Sequence, residues 1–148
     1  MNKPSLVIGA MLIFTGAAES QVNSTALKWG PAPAIFPAGA KMTVLSGDPS
    51  KAGIFVIRLK MPAGYQIPAH HHPTDEYVTV ISGEFRLGMG DKLDKIKTAT
   101  LYAGGFAEAP SGMNHYGWAP KASIVQVSAE GPFVMVYVNT ADDPSVKH

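Results

Sequence analysis

The five histidines of this chain are unevenly placed, and three of them are consecutive: His70-His71-His72. Along an extended chain alternate side chains share a face, so His70 and His72 point together and His71 points away. Glu76 follows four residues after His72, beyond Pro73-Thr74-Asp75, where the chain can bend and start another strand. His115 lies far along the chain, just after the turn Pro110-Ser-Gly-Met-Asn114. Three neutral imidazoles and one carboxylate form a borderline donor set, suited to Fe(II), Mn(II), Co(II), Ni(II), Cu(II) or Zn(II). If the strands that carry them line one barrel, the four groups converge inside it and leave positions open for water or an organic ligand. The donors do not choose among these ions, because intrinsic affinity favours copper at any such site.

The elements that must hold these groups are short. Runs rich in Val, Ile, Phe and Tyr, each closed by Gly, Pro or Asp, fall near 42–46, 53–60, 66–70, 76–82, 84–89, 98–102, 106–109, 113–118, 122–129 and 132–139. Such regularly spaced short strands predict an all-β sandwich or barrel. Ile81-Ser-Gly-Glu-Phe85 reads as a hairpin turn with Gly83 free to adopt a positive φ. Trp29 to Gly39, with three prolines, reads as an extended covering arm. Only Asp91–Lys97 has helical character, and its alternating Lys and Asp predict an exposed loop with a solvated face.

Composition agrees with a packed β domain. Of 148 residues, 46% are apolar and 16% charged, enough to bury a core, and 15 Gly and 12 Pro suit strands joined by tight turns. Twelve basic against eleven acidic residues leave no electrostatic footprint for nucleic acid. With no cysteine, disulfides, thiolate metal sites and a Cys nucleophile are excluded.

Residues 1–18 have a basic start at Lys3, an apolar stretch from Leu6 to about Phe14, and small residues Gly16, Ala17 and Ala18. That layout predicts a secretory signal peptide cleaved after Ala18 or Ser20, with an apolar stretch too short to span a bilayer comfortably. The expectation is one domain over 19–148 in the periplasm or secreted, with no stable membrane anchor. His148 reads as a mobile terminal residue.

Gly64-x5-His70-x-His72-x3-Glu76-x6-Gly83 and Gly104-x5-Pro110-x-Gly112-x2-His115 resemble, position for position, the two motifs of the cupin superfamily. Twenty residues separate Gly83 from Gly104, similar to the short spacer of small single-domain microbial cupins. The motif's usual terminal Asn is Ala119 here, a departure that bears on local turn geometry more than on metal ligation. The resemblance implies a jelly-roll β-barrel (a double-stranded β-helix), commonly a homodimer, with a divalent transition metal held by His70, His72, Glu76 and His115. His71 is expected outside this set.

Tyr65, Met113, Tyr116 and Trp118 flank the expected ligands and are candidates for the wall of a pocket, as against plain core. Arg58, Glu84, Arg86, Glu108 and Gln126 read more simply as surface or structural residues than as substrate contacts. No second acid–base carboxylate is visible beside the ligands, which weakens decarboxylase chemistry. The expected function is an exported metalloenzyme, an oxidoreductase of dioxygenase-like type acting on a small organic substrate. Glu76, the only anion of the set, carries the expected catalytic weight. The alternative is a non-catalytic, metal-dependent module that binds or senses a small ligand.

Overall fold

Burial along Gly53–Met61 follows the alternation of its sequence: Phe55, Ile57, Leu59 and Met61 are buried, while Ile54, Arg58 and Lys60 turn outward. The same period of two recurs through most of the chain, and it is what a sheet with one buried face requires. The computed structural model describes residues 21–146, so the expected leader over 1–18 and the terminal His148 lie outside the described residues.

The strands are β1 (Gly30–Pro31), β2 (Lys41–Ser46), β3 (Gly53–Met61), β4 (Tyr65–His71), β5 (Glu76–Ser82), β6 (Glu84–Met89), β7 (Ala99–Tyr102), β8 (Phe106–Ala109), β9 (His115–Ala119), β10 (Ser123–Gly131) and β11 (Val136–Tyr137). They pair antiparallel in two sheets, one in the order β1-β2-β3-β10-β5-β8 and the other β11-β4-β9-β6-β7. The all-β expectation holds, and the pairing takes the form of two sheets. Their buried faces form one core, with Phe55, Ile57, Val78, Val125 and Val127 from the first and Tyr65, Ile67, Phe85 and Leu87 from the second. Burying each large side chain stabilises the fold by about 1.5–3 kcal/mol before conformational entropy is counted.

The longest pairing, between β3 and β10, runs without a break from Ser123↔Met61 to Gly131↔Gly53. β5 and β6 join through Gly83, whose φ of +82° suits the expected turn. A side chain at Gly83 would also run into the Ala122 carbonyl and Ser123.

Two expected elements differ. The run 132–139 forms a strand only at Val136–Tyr137; the preceding residues leave the sheet and send Phe133 and Met135 inward. Asp91–Lys97 is a loop of bends, as expected, but it is not wholly solvated: Lys95 Nζ stands 4.8 Å from the Trp118 ring centre, and Arg86 stands 5.1 Å from it. The Pro-rich arm does cover the core. Its Phe36 is buried, and Tyr65 and Tyr137 donate hydroxyl hydrogen bonds to the carbonyls of Pro37 (2.5 Å) and Ile35 (2.6 Å).

Candidate metal centre

β4 carries one residue more than its partner requires. Ile67 faces Gly117 in β9, yet His70 faces His115, so three steps along β4 match two along β9. This bulge resets which side chains point inward. Tyr65 and Ile67 are buried before it, and after it His70 and His72 are buried while His71 is not. In strict alternation from Tyr65, His71 would have faced the core. Pro68 occupies the irregular stretch, where its missing N–H costs no ladder bond.

His115 opens β9, and His72 lies one residue past the end of β4. Glu76 opens β5, in the other sheet, opposite Ala129 and Ala109. The centre therefore draws on both sheets. His70, His72 and His115 are 4%, 2% and 2% exposed, and Glu76 is 8% exposed. One ligating nitrogen from each of the three imidazoles lies within 4.8 Å of the others. Glu76 Oε2 is 3.3 Å from His115 Nε2 and 3.6 Å from His72 Nε2.

The hydrogen bonds on the far side of each ring fix which nitrogen is free. Nδ1 of His70, His72 and His115 bonds to the carbonyls of Pro68 (2.7 Å), Val134 (2.7 Å) and Met113 (2.9 Å). A carbonyl only accepts, so each Nδ1 carries the proton and each Nε2 of a neutral ring presents a lone pair. Nε2 of His72 and of His115 is buried without a hydrogen-bond partner. Two lone pairs and a carboxylate oxygen thus face one another out of water, an arrangement that is repulsive unless a positive charge stands among them. A divalent transition metal fits this donor set, and the carbonyl bonds behind the rings are the outer contacts that orient ligating imidazoles.

The acidities agree. Burial, aided by His115 and His72, pushes the His70 pKa down to about 3, so this ring stays neutral. Burial also acts to lower His72, but the Glu76 carboxylate and the Val134 carbonyl outweigh it and raise the pKa. Burial acts to raise Glu76, yet the attraction of His115 and His72 holds its carboxyl well below the usual range. An ionised Glu76 thus draws positive charge toward it.

His71 is turned out of this group. Its Nδ1 lies 2.9 Å from Asn114 Oδ1, and Asn114 Nδ2 donates to Asp91 at 2.7 Å. That chain ties β4 to the turn before β9, beside the rings.

A cavity of about 30 Å3, room for roughly two waters, adjoins the four groups. Apart from them the described residues of its wall are all apolar or glycine, including Phe36, Phe85, Phe133 and Met135. Gly117 is part of it: a side chain there would overlap the Phe85 ring. Of the wall candidates from the sequence, Tyr65, Met113, Tyr116 and Trp118, none lines this cavity. Tyr65 and Tyr116 are buried and spend their hydroxyls on Pro37 and Lys97, Trp118 packs outside between cations, and Met113 is exposed. Arg58, Arg86, Glu108 and Gln126 sit on outer faces, with Arg58 bonded to Gln126 and Arg86 to Glu84, which is itself buried. The sequence reading missed Phe36 and Phe133, which come from the arm and from the residues that leave β10. Their only signal was an isolated Phe beside a proline in each segment.

The motif's departure at Ala119 is absorbed by the main chain: Ala119 is fully buried and its carbonyl accepts from Gly64 N–H at 2.7 Å. Comparison with known proteins agrees with this geometry. Germin-like protein subfamily 3 member 3 of Arabidopsis thaliana is 28% identical over 140 residues, which cover 91% of this chain and 63% of that protein. The chain thus spans less than two thirds of that relative's length.

Two solved structures share the fold at low identity. The polyketide cyclase RemF from Streptomyces resistomycificus superposes with a TM-score of 0.69 at 17% identity, over 84% of this chain and 88% of that one. A candidate acetylacetone dioxygenase from Methylibium petroleiphilum superposes with a TM-score of 0.64 at 21% identity, over 97% and 90%. The cupin domain family model matches residues 57–136, from within β3 to the first residue of β11. That span is more than half of the chain and takes in all four converging groups, so the protein belongs to the cupin family.

Proposed function

We propose that this cupin holds a divalent transition metal among His70, His72, Glu76 and His115 and is a metalloenzyme of dioxygenase-like type acting on a small organic substrate. The observation that carries this reading is the pair of bare, buried Nε2 atoms of His72 and His115 facing the Glu76 carboxylate. When bound, the ion supplies a Lewis acid and, if redox-active, an electron donor and acceptor. The chain's own residues do the rest. The carbonyls of Pro68, Val134 and Met113 hold the three rings in one tautomer, Glu76 would offset part of the ion's charge, and the rest of the cavity wall is apolar or glycine.

Among the described residues the wall offers no acid or base beyond the four groups, which favours chemistry that needs no separate proton donor. The same observation supports a second reading, a metal-dependent module that binds or senses a small ligand without turnover. The order β3-β10-β5-β8 against β4-β9-β6-β7 supports a jelly-roll reading of the two sheets. The leader-like residues 1–18 support export, and both belong to this proposal.

Elemental analysis followed by O2 uptake with catechols, flavonols and 1,3-dicarbonyls tests it. A redox-active metal with uptake supports the enzyme. Tight zinc with no uptake favours the binding module, and no metal at all sinks both.

A further inference from the structure

We propose that an acidic, aromatic groove on the outer face of the first sheet docks the 91–97 loop of a second copy of this chain, head to tail, with Ile96 as the apolar anchor. Neither half of this contact involves the metal centre.

One half lies at the β8 edge of the first sheet. Tyr77 of β5 and Phe106 and Glu108 of β8 turn outward there. The Tyr77 and Phe106 rings are exposed and nearly parallel, 16° apart with centres 6.4 Å apart. An open groove of about 360 Å3 runs beside Tyr77, lined also by Ile54, Asp75, Ser128 and Glu130. The charge of Asp75 raises the Tyr77 pKa, with desolvation and Glu108 adding to it, so both carboxylates stand near that ring. Asp75, Glu108 and Glu130 form no ion pair among the described residues. Aromatic surface beside three unpaired anions is complementary to an apolar group carried between cations.

The 91–97 loop is such a group. Ile96 is 93% exposed and stands between Lys95 and Lys97, with Lys92 in the same loop. None of these lysines forms an ion pair among the described residues. The loop is already shaped. Ile96 N–H donates to Asp94 Oδ1 (3.0 Å), Lys97 N–H to the Asp94 carbonyl (3.1 Å), and the Thr98 hydroxyl to the Lys95 carbonyl (3.1 Å). The Tyr116 hydroxyl donates to the Lys97 carbonyl at 3.1 Å. A loop held this way loses little freedom on docking.

The two halves cannot meet within one chain. The groove is on the outer face of one sheet, whereas the loop lies over the outer face of the other, against Tyr116 and Trp118, with the core between. A contact between unlike surfaces leaves a free loop at one end and a free groove at the other. It therefore builds a ring or an open chain, and not a two-fold dimer in which like faces meet.

Sedimentation equilibrium over a range of protein concentration tests this. At low salt the average mass is expected to rise with concentration, and high salt is expected to weaken the association. Ile96→Asp and Phe106→Lys are each expected to weaken it at least about tenfold, as the loss of one buried apolar side chain should. Both positions are exposed, so native circular dichroism is expected in each variant. Glu108→Lys is a second groove variant with the same expected result. Mixed in equal amounts, the Ile96→Asp and Phe106→Lys proteins are expected to form a 1:1 complex that grows no further, because the intact loop of one meets the intact groove of the other. A native protein that stays monomeric at every concentration overturns the proposal. Association that survives the loop and groove substitutions overturns it too, as does a mixture no more associated than its components.

Discussion

His70 and His115 are direct partners across the β4–β9 ladder, with ring centres 4.4 Å apart. Their positions are therefore fixed by main-chain register rather than by side-chain reach. His72 and Glu76 complete the set from the end of β4 and from the opposite sheet.

Replacing His70, His72 or His115 with Ala should each reduce metal affinity by more than the roughly 10–100-fold typical of losing an outer contact. His71→Ala should leave occupancy near that of the native chain, because its ring is turned to Asn114. Elemental analysis after dialysis against a weak chelator decides it. Full occupancy in the His72 variant, or lost metal in the His71 variant, would show that the facing of this strand has been misread.

Glu76→Gln keeps the size and an oxygen donor but removes the only anion of the set. Some metal should remain at weaker affinity, and once a substrate is in hand the rate per bound metal should fall further than occupancy does. Normal turnover per metal in this variant would take Glu76 out of the chemistry.

Removing the ion should loosen the contact between sheets, since Glu76 belongs to one and the histidines to the other. Metal at about 100 times its dissociation constant stabilises the fold by about 2.7 kcal/mol. For a chain of this size that is roughly 10 °C in melting temperature. Calorimetry with and without a chelator at neutral pH reads it, and identical melting would detach the centre from stability.

Acid should act on the metal-free protein through His70. Its folded pKa of about 3 lies below the unfolded value near 6.5, so the unfolded chain takes up a proton first. The stability that comes from keeping this ring neutral is thus present above about pH 6.5 and lost as pH falls toward 3, by at most about 1.4 kcal/mol per unit. His72 has the opposite sign: its raised pKa stabilises below its unfolded value, and that contribution is lost as pH rises through the folded one. In NMR titrations of the metal-free protein, the His70 ring signals should hold steady from pH 7 to 4 while those of His72 move at higher pH. A His70 midpoint near 6.5 would contradict the burial argument.

Gly117→Ala should destabilise the protein by about 1–3 kcal/mol, the usual range for overpacking, because the new methyl overlaps Phe85. Denaturant unfolding measures this. No loss would mean that the Phe85 ring has room to retreat into the cavity.

Most of the fold and the four converging groups were legible in the sequence, for different reasons. The β3, β5 and β10 runs alternate cleanly, so their burial followed from period alone, and the motif spacing picked out His70, His72, Glu76 and His115. What the sequence hid was how His70 comes to face inward: alternation counted from Tyr65 gives the wrong face, and only pairing with β9 reveals the extra residue. The cavity wall was equally hidden. Phe36 and Phe133 reach it from irregular segments that carry no period, whereas Tyr116 and Trp118, next to His115 in the chain, pack elsewhere.

The extra residue in β4 is a spacer and not part of the ladder: Ile67 and His70 are three residues apart while their partners Gly117 and His115 are two apart. Deleting one residue between them would remove the bulge and leave His70 and His72 on the core face by plain alternation. Substitution at exposed Gln66 leaves that facing untouched. A lineage descending from this protein is thus free to repaint the segment before His70, and even to shed its surplus residue, as long as His70 stays opposite His115.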